Sequence, residues 1–234
     1  MRIYSFCSTF AIMIKLVIFD LDGTLINTIE DLGAACDYAL GLRNLKGHSV
    51  EDYTDMVGHG VRRLVQLALE KSMGRGVEDS LVDEVLADFT RYYVEHIDVN
   101  TRPYSGMVEL LKRLDKKGVR LAVASNKFQE GVELLVREFF PEVSFVAVLG
   151  NKVGLPLKPD AGVVELALKN AGVSRADCVL VGDSGTDIRT AKNAGVRCIG
   201  VTWGFRPERD LVEAGADRIA HSSAELAEML EAGC

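Results

Sequence analysis

The sequence of 234 residues predicts an α/β protein built on a doubly wound, mostly parallel β-sheet, with an all-helical domain inserted after the first strand. The run LVIF at 16–19 shows no polar alternation, which is typical of a strand buried on both faces of a parallel sheet. From residue 105 onward, apolar runs alternate with helical patterns, as they do in sheets wound by right-handed crossovers. Between residues 28 and 100 no strand-like run occurs, so this segment is predicted to be helical.

The inserted segment carries apolar residues at helical spacing, which predicts amphipathic helices at 28–40, 61–73 and 81–96. The turn RPYSG at 102–106 marks the return to the sheet. The predicted organisation is an N-terminal extension at 1–12, a core domain formed by 13–27 and 103–234, and a helical domain at 28–102.

The remainder of the core domain is predicted to alternate between helices and strands. Strands are expected at 119–124, 144–149, 178–182 and 197–201. Helices are expected at 106–117, 128–139, 160–171 and 186–194. Ser222 and Glu225 have the spacing of a capping box that opens the last helix.

The composition excludes several classes of protein. The net charge of −7 argues against non-specific binding to nucleic acids or anionic membranes. The five cysteines include no CxxC pair and the four histidines show no metal-ligand spacing, so neither zinc nor a disulfide framework is expected. Residues 1–12 carry Arg2 and a short apolar stretch, but they lack a small-x-small cleavage site and cannot span a bilayer. We therefore expect a dispensable extension and a cytoplasmic location.

Two carboxylates, Asp20 and Asp22, directly follow the first predicted strand. The residues after such a strand lie at the carboxyl edge of the sheet, where open α/β folds bind ligands. Two acids this close repel each other unless a cation or a shared proton intervenes, which indicates a metal site. The alternative is a strand followed by a simple Asp-Gly turn. A calcium loop fits less well, because no oxygen ligands continue at alternate positions past Asp22.

Polar residues also follow the later strands. Ser125 and Asn126 end one apolar run, Lys158 lies in a Pro-flanked loop, and Asp183 and Asp187 follow another strand. Each feature alone is usually a turn, a helix cap or a solvated charge. The tetrapeptide GDSG at 182–185 also occurs around the nucleophile of trypsin-like proteases. Those proteases are all-β, and no Gly-x-Ser-x-Gly elbow is present, so a protease is excluded.

In order and spacing, these four motifs resemble those of the haloacid dehalogenase (HAD) superfamily of phosphohydrolases, in particular its phosphoglycolate phosphatase-like branch. The resemblance runs from about Met13 to the C-terminus. It implies a Rossmann-like HAD core with a helical cap domain, and Mg²⁺-dependent hydrolysis of a phosphomonoester through an aspartyl-phosphate.

The resemblance also implies a role for each motif residue. Asp20 is the implied nucleophile, and Asp22 the general acid and base. The implied metal ligands are Asp20, Asp183 and the backbone carbonyl of Asp22, with Asp187 orienting a water beside the metal. The implied phosphate-binding residues are Gly23, Thr24, Ser125, Asn126 and Lys158.

Two departures from the family pattern are local. Asn27 replaces a common aspartate, which concerns a hydrogen bond at the hinge of the cap. Gly162 stands where the family often has proline, which concerns the start of a helix and not Lys158.

Substrate specificity is expected from the cap segment MVGHGVRR at 56–63. Gly58 and Gly60 precede a helix whose first turn carries Arg62 and Arg63, and these groups could bind a carboxylate. The alternative is a tight entry turn with solvated arginines. The predicted substrate is a small phosphorylated metabolite, 2-phosphoglycolate first, and the predicted protein is a monomer or homodimer. A phosphosugar mutase or a pyrophosphatase on the same scaffold remains open, as does, more remotely, a non-catalytic phosphate-binding protein.

Overall fold

A computed structural model of the chain describes residues 14–232, and its centre is a six-stranded parallel β-sheet. The strands lie in the order β5-β4-β1-β6-β7-β8, and every neighbouring pair is parallel. The strands are β1 Leu16–Phe19, β4 Arg120–Phe128, β5 Phe145–Asn151, β6 Cys178–Gly182, β7 Arg197–Val201 and β8 Arg218–Ala220. The predicted α/β fold class is confirmed.

Four helices follow one another between β1 and β4. They are α1 Ile29–Gly41, α2 Val50–Met56, α3 Val61–Met73 and α4 Asp79–Glu95. A short antiparallel ribbon joins β2, Ile26–Asn27, to β3, Arg102–Pro103. The ribbon lies at both predicted boundaries of the helical domain, and the division into domains stays a prediction. The predicted extension at 1–12 lies outside the described residues.

The remaining helices cover the faces of the sheet. They are α5 Met107–Lys116, α6 Gln129–Phe139, α7 Gly162–Ala171, α8 Gly185–Ala194, α9 Glu208–Ala214 and α10 Ser223–Ala232. All four residues of β1 are completely buried. Val17 and Phe19 belong to the apolar cluster on one face of the sheet, and Leu16 and Ile18 to the cluster on the other. Strand β1 lacks polar alternation because both of its faces are buried, as the sequence predicts.

Several local features differ from the sequence predictions, among them helix α9 and strand β8, which were not predicted. Helix α2 was not predicted, because it has seven residues and buries only Tyr53 and Met56. Strand β4 continues to Phe128, since pairing with β5 resumes at Asn151 after an irregularity. The predicted capping box is half formed: the Glu225 N–H donates to Ser222 Oγ at 3.2 Å, while the Glu225 carboxylate accepts from a neighbouring backbone N–H.

Helices that could cross a membrane, by length and apolar character, do not occur in the part of the chain from 14 to 232. Within the same part, Cys36, Cys178 and Cys198 are buried free thiols.

Candidate active site

A cavity of about 50 Å³ lies at the carboxyl edge of the sheet, between the sheet and the inserted helices. Strands β1 and β6 end at this edge and the last part of β4 reaches it, so the residues directly after β1 and β6 meet Ser125, Asn126 and Lys127 of β4 there. The core contributes Asp20, Asp22, Ser125, Asn126, Lys127, Lys158, Asp183, Ser184, Thr186, Phe205 and Arg206 to the cavity lining. The inserted helices contribute Leu32, Val57, Gly58, Gly60, Val61 and Leu64.

Three buried carboxylates form the centre of the site. Asp20, Asp183 and Asp187 each place an oxygen within 4.8 Å of the others. Burial raises the pKa of Asp20 well above its usual value, and the neighbouring Asp187 and Asp183 add to that rise against the opposing charge of Lys158. Burial and the charge of Asp187 raise the pKa of Asp183 to about 7. Hard carboxylate oxygens that repel one another in this way suit Mg²⁺.

Lys158 supplies the counter-charge for this cluster. Its Nζ lies 2.8 Å from Asp20 Oδ1 and 2.6 Å from Asp187 Oδ1. Burial alone would lower the pKa of Lys158, but the two aspartates outweigh it and the pKa is raised. Lys158 is therefore a permanent positive charge beside Asp20, and it neutralises only part of a cluster of three acids.

Neighbouring hydroxyl and backbone N–H groups hold Asp183 and Asp187 in place. Thr24 Oγ1 donates to Asp183 Oδ1 at 3.3 Å, and the Phe205 N–H donates to Asp183 Oδ2 at 2.7 Å. Asp187 Oδ2 accepts from the Ser184 hydroxyl at 2.6 Å and from its N–H at 3.1 Å. These bonds fix the carboxylates in one orientation before any ion binds.

Asp22 has different neighbours from Asp20. Its Oδ1 accepts from Thr28 Oγ1 at 2.8 Å and from Lys127 Nζ at 3.1 Å. The Lys127 ammonium also lies 4.6 Å from the centre of the Tyr93 ring. Burial lowers the pKa of Lys127, although Asp22 acts in the opposite direction. Asp22 is thus held at the cavity by groups separate from those that hold Asp20.

The predicted phosphate-binding residues occupy different positions. Ser125 and Lys158 line the cavity directly. The Asn126 amide also reaches it, but it donates to the Lys158 carbonyl at 3.0 Å and to the Gly58 carbonyl at 3.1 Å, and accepts from the Lys158 N–H. Gly23 and Thr24 are outside the cavity lining, and their N–H groups donate to carbonyls of the turn at 21–26. Their binding of phosphate stays a prediction.

The loop beside Asp20 requires a glycine at position 23. Gly23 has a φ of +90°, and a Cβ atom there would lie 2.4 Å from Asp183 Oδ2. Any larger residue would push into the carboxylate cluster.

Gly58 and Gly60 line the cavity, but the two arginines after them do not, and the role of the glycines in specificity stays a prediction. Arg62 Nη2 lies 2.9 Å from Asp79 and 3.1 Å from Asp83, both on α4. The expectation that Arg62 and Arg63 bind the substrate stays a prediction, without geometric support from the position of Arg62.

Two charged cavity residues, Lys127 and Arg206, were not singled out from the sequence. Lys127 directly follows the Ser-Asn pair at the end of β4, and its position next to that pair was an available signal. Arg206 lies far along the chain, in the loop after β7, and no recognised pattern surrounds it.

A group of basic side chains surrounds His59, which lies between the two cavity glycines. Burial lowers the pKa of His59, and the positive charges of Arg206, Arg189 and Arg63 lower it further. The positive charges on this side of the cavity therefore favour a bound anion.

The site can be compared with known proteins. A family model described as haloacid dehalogenase-like hydrolase matches residues 17–201, and the chain belongs to this family. It is 35% identical over 200 residues to a phosphoglycolate phosphatase of Pseudomonas savastanoi pv. phaseolicola, covering 85% of this chain and 73% of that protein. A phosphoglycolate phosphatase of Thiobacillus denitrificans is 31% identical over 222 residues, covering 95% of this chain and 98% of that protein.

A solved structure shows the same architecture. The crystal structure of a proposed phosphoglycolate phosphatase from Lactobacillus delbrueckii subsp. bulgaricus superimposes with a TM-score of 0.86 at 36% identity, covering 94% of this chain and 99% of that one. The predicted family and the predicted enzyme class, a phosphatase, are confirmed.

Proposed function

We propose that the protein is a Mg²⁺-dependent phosphomonoester hydrolase that acts through an aspartyl-phosphate on Asp20. The observation that supports this most directly is the cluster of Asp20, Asp183 and Asp187 with Lys158, buried at the ends of two adjacent strands. The two carboxylates Asp20 and Asp183 would hold Mg²⁺, together with the carbonyl of Asp22, and the ion would offset the charge repulsion between Asp20 and the phosphoryl group.

The chemistry divides into two steps. In the first, an Asp20 carboxylate oxygen forms a bond to phosphorus, and the bond from phosphorus to the ester oxygen breaks. Asp22 gives its proton to the departing alkoxide. In the second, Asp22 takes a proton from water, the water oxygen bonds to phosphorus, and the bond from phosphorus to the Asp20 oxygen breaks. The Asp20 carboxylate is restored, and inorganic phosphate leaves. Lys158 and the Ser125 hydroxyl, which both line the cavity, would hold the phosphoryl oxygens through both steps.

The inserted helices would exclude bulk water from this reaction. Their contribution to the cavity is mostly apolar, through Leu32, Val57, Val61 and Leu64. An apolar wall strengthens the electrostatic interactions inside the cavity and disfavours side reactions with solvent.

The proposed substrate is 2-phosphoglycolate, acted on in the cytoplasm. Relatives named phosphoglycolate phosphatase support it. The small cavity favours a small ester, and Arg206 places a positive charge on its lining. Within the described chain Arg206 bonds to backbone carbonyls and forms no ion pair with a carboxylate, so no acid neutralises its charge, and its field favours an anionic substrate.

The test is phosphate release by the purified protein from a panel containing 2-phosphoglycolate, a hexose phosphate, a nucleotide, pyrophosphate and p-nitrophenyl phosphate, with Mg²⁺ or with EDTA. We expect activity only with Mg²⁺ and the highest kcat/KM for 2-phosphoglycolate. Full activity in EDTA would contradict the metal site. A preference for a sugar phosphate or pyrophosphate would contradict the substrate and leave the phosphatase intact.

A further inference from the structure

The segment Trp203-Gly204-Phe205-Arg206, between β7 and α9, connects the carboxylate cluster to the inserted helices. Its first three residues are fixed on the core. The Trp203 indole N–H donates to the Thr24 carbonyl at 3.1 Å, and the Phe205 N–H donates to Asp183 at 2.7 Å. Gly204 lies so close to this site that a Cβ atom there would be 2.3 Å from the Gly23 carbonyl oxygen. Arg206 therefore projects from a rigid base.

The Arg206 guanidinium leaves the core and binds the end of α2. Its Nη1 donates to the Thr54 carbonyl at 2.7 Å, and its Nη2 donates to the carbonyls of Asp55, at 3.3 Å, and Val57. These carbonyls belong to the last turn and C-cap of α2, where intrahelical donors run out and the helix dipole is negative. The last turn of α2 contains no basic residue of its own. Arg206, which belongs to the core, supplies a positive charge at this end of α2.

The residues held in this way form one wall of the cavity. Val57, Gly58 and Gly60 lead from α2 to α3 and line the cavity. Asn126 binds the same loop from another direction, through the Gly58 carbonyl at 3.1 Å. Two side chains of the described core, Asn126 and Arg206, thus hydrogen-bond to the loop at 57–60, and Arg206 is the charged one.

We propose that Arg206 is a positioning residue that holds the inserted helices closed over the cavity. Its effect on catalysis rests on the proposed phosphatase function, whereas its effect on closure does not. The planar guanidinium reaches the carbonyls of Thr54 and Val57 with two different nitrogens, which the single nitrogen of lysine cannot do. Lysine would keep the positive charge and lose the paired contact.

The first experiment measures closure without any substrate. Hydrogen exchange of the amides in 50–64 is compared between the wild-type protein, Arg206→Lys and Arg209→Lys, with the peptide containing β1 as an internal reference. Arg209 is the matched control, because its side chain is exposed and forms its ion pair with the adjacent Asp210. We expect Arg206→Lys to speed exchange in 50–64 by ~10-fold or more, the effect of losing one or two charge-assisted hydrogen bonds, and to leave β1 unchanged. Wild-type exchange in Arg206→Lys would overturn the proposal.

The second experiment measures the catalytic consequence. With 2-phosphoglycolate and Mg²⁺, we expect Arg206→Lys to lower kcat/KM by ~10-fold and Arg209→Lys to leave it unchanged. Wild-type kcat/KM in Arg206→Lys would overturn the catalytic part, because it would show that charge alone suffices. If the wild-type protein hydrolyses no phosphomonoester, the proposed function fails, and the exchange experiment still decides whether Arg206 holds the helices closed. Emission of Trp203, the single tryptophan, verifies that the base of the segment is intact in each variant.

Discussion

Asp20 and Asp22 are two positions apart in the chain, but their surroundings differ. Asp20 lies among other buried acids and forms an ion pair with Lys158. Asp22 lies apart from that cluster, bonded to Lys127 and Thr28. Two carboxylates with separate environments can take separate roles in one reaction. The proposed division into a nucleophile and an acid–base group is consistent with these separate surroundings.

Substitution of the two aspartates by asparagine separates these roles. Asp20→Asn should abolish turnover and the covalent phospho-enzyme, because an amide is a poor nucleophile. Asp22→Asn should lower kcat by ~10²–10⁴-fold, the usual contribution of general acid–base catalysis. Rapid-quench trapping of phospho-enzyme, with steady-state phosphate release, measures both effects.

The control is Asp177→Asn. Asp177 directly precedes β6, at the edge of the sheet opposite the cavity, and its carboxylate pairs with Lys15. The turnover of this variant should remain that of the wild-type protein. Near-normal turnover of Asp20→Asn would show that the nucleophile is a different residue.

At the scale of elements, the predictable part of the site is the part carried by strand ends. Asp20, Ser125 and Asp183 follow apolar runs, and the parallel order of β1, β4 and β6 brings them together. A polar residue at the end of a buried strand is visible in the sequence because its neighbours are so uniformly apolar.

The segment at 203–206 could not be predicted in this way. Phe205 acts through its backbone N–H, which every residue except proline possesses, and Gly204 acts by having no side chain. The opposite situation occurs on α3, where Arg62 comes after two glycines in an arrangement suited to anion binding. The acids on α4 that pair with it are seventeen or more positions away, so the sequence does not show that its charge is already paired.

The fit of this segment against the core predicts a steric effect at Gly204. A Cβ atom there would lie 2.3 Å from the Asp183 Cβ atom and from the Gly23 carbonyl oxygen. Because both are held by the surrounding structure, Gly204→Ala should lower the free energy of unfolding by about 1–3 kcal/mol, the usual cost of overpacking. It should also weaken Mg²⁺ binding, since Asp183 must shift.

The matched control is Gly41→Ala at the end of α1, where an added Cβ atom meets nothing within 4 Å. This substitution should be neutral or stabilise by up to about 1 kcal/mol, because alanine favours helix over glycine. Urea unfolding and calorimetric Mg²⁺ titration measure the two variants side by side. Equal stability of the two would show that the loop yields without cost.

At the scale of the whole molecule, the sheet that stabilises the fold also brings buried carboxylates together, and their repulsion destabilises it. Strands β1 and β6 are adjacent in the sheet, so acids that are distant in the sequence share one small volume. The strands themselves are fully apolar and buried. The metal-free fold therefore gains stability from its core and loses part of it at the carboxylate cluster.

This conflict predicts how stability depends on pH. The pKa of Asp183 is raised from 3.8 to about 7 in the folded protein, and that of Asp20 moves in the same direction. The folded state then binds more protons than the unfolded state between about pH 4 and 7, so stability should fall as the pH rises through this window.

Mg²⁺ binds the ionised acids, and its stabilising effect should be larger at pH 8 than at pH 5. Thermal unfolding at both pH values, with Mg²⁺ or with EDTA, measures the difference. Asp183→Asn should unfold with a flatter pH dependence in EDTA and a smaller response to Mg²⁺. An equal rise in Tm with Mg²⁺ at pH 5 and pH 8 would contradict the assignment of these acids to one coupled metal site.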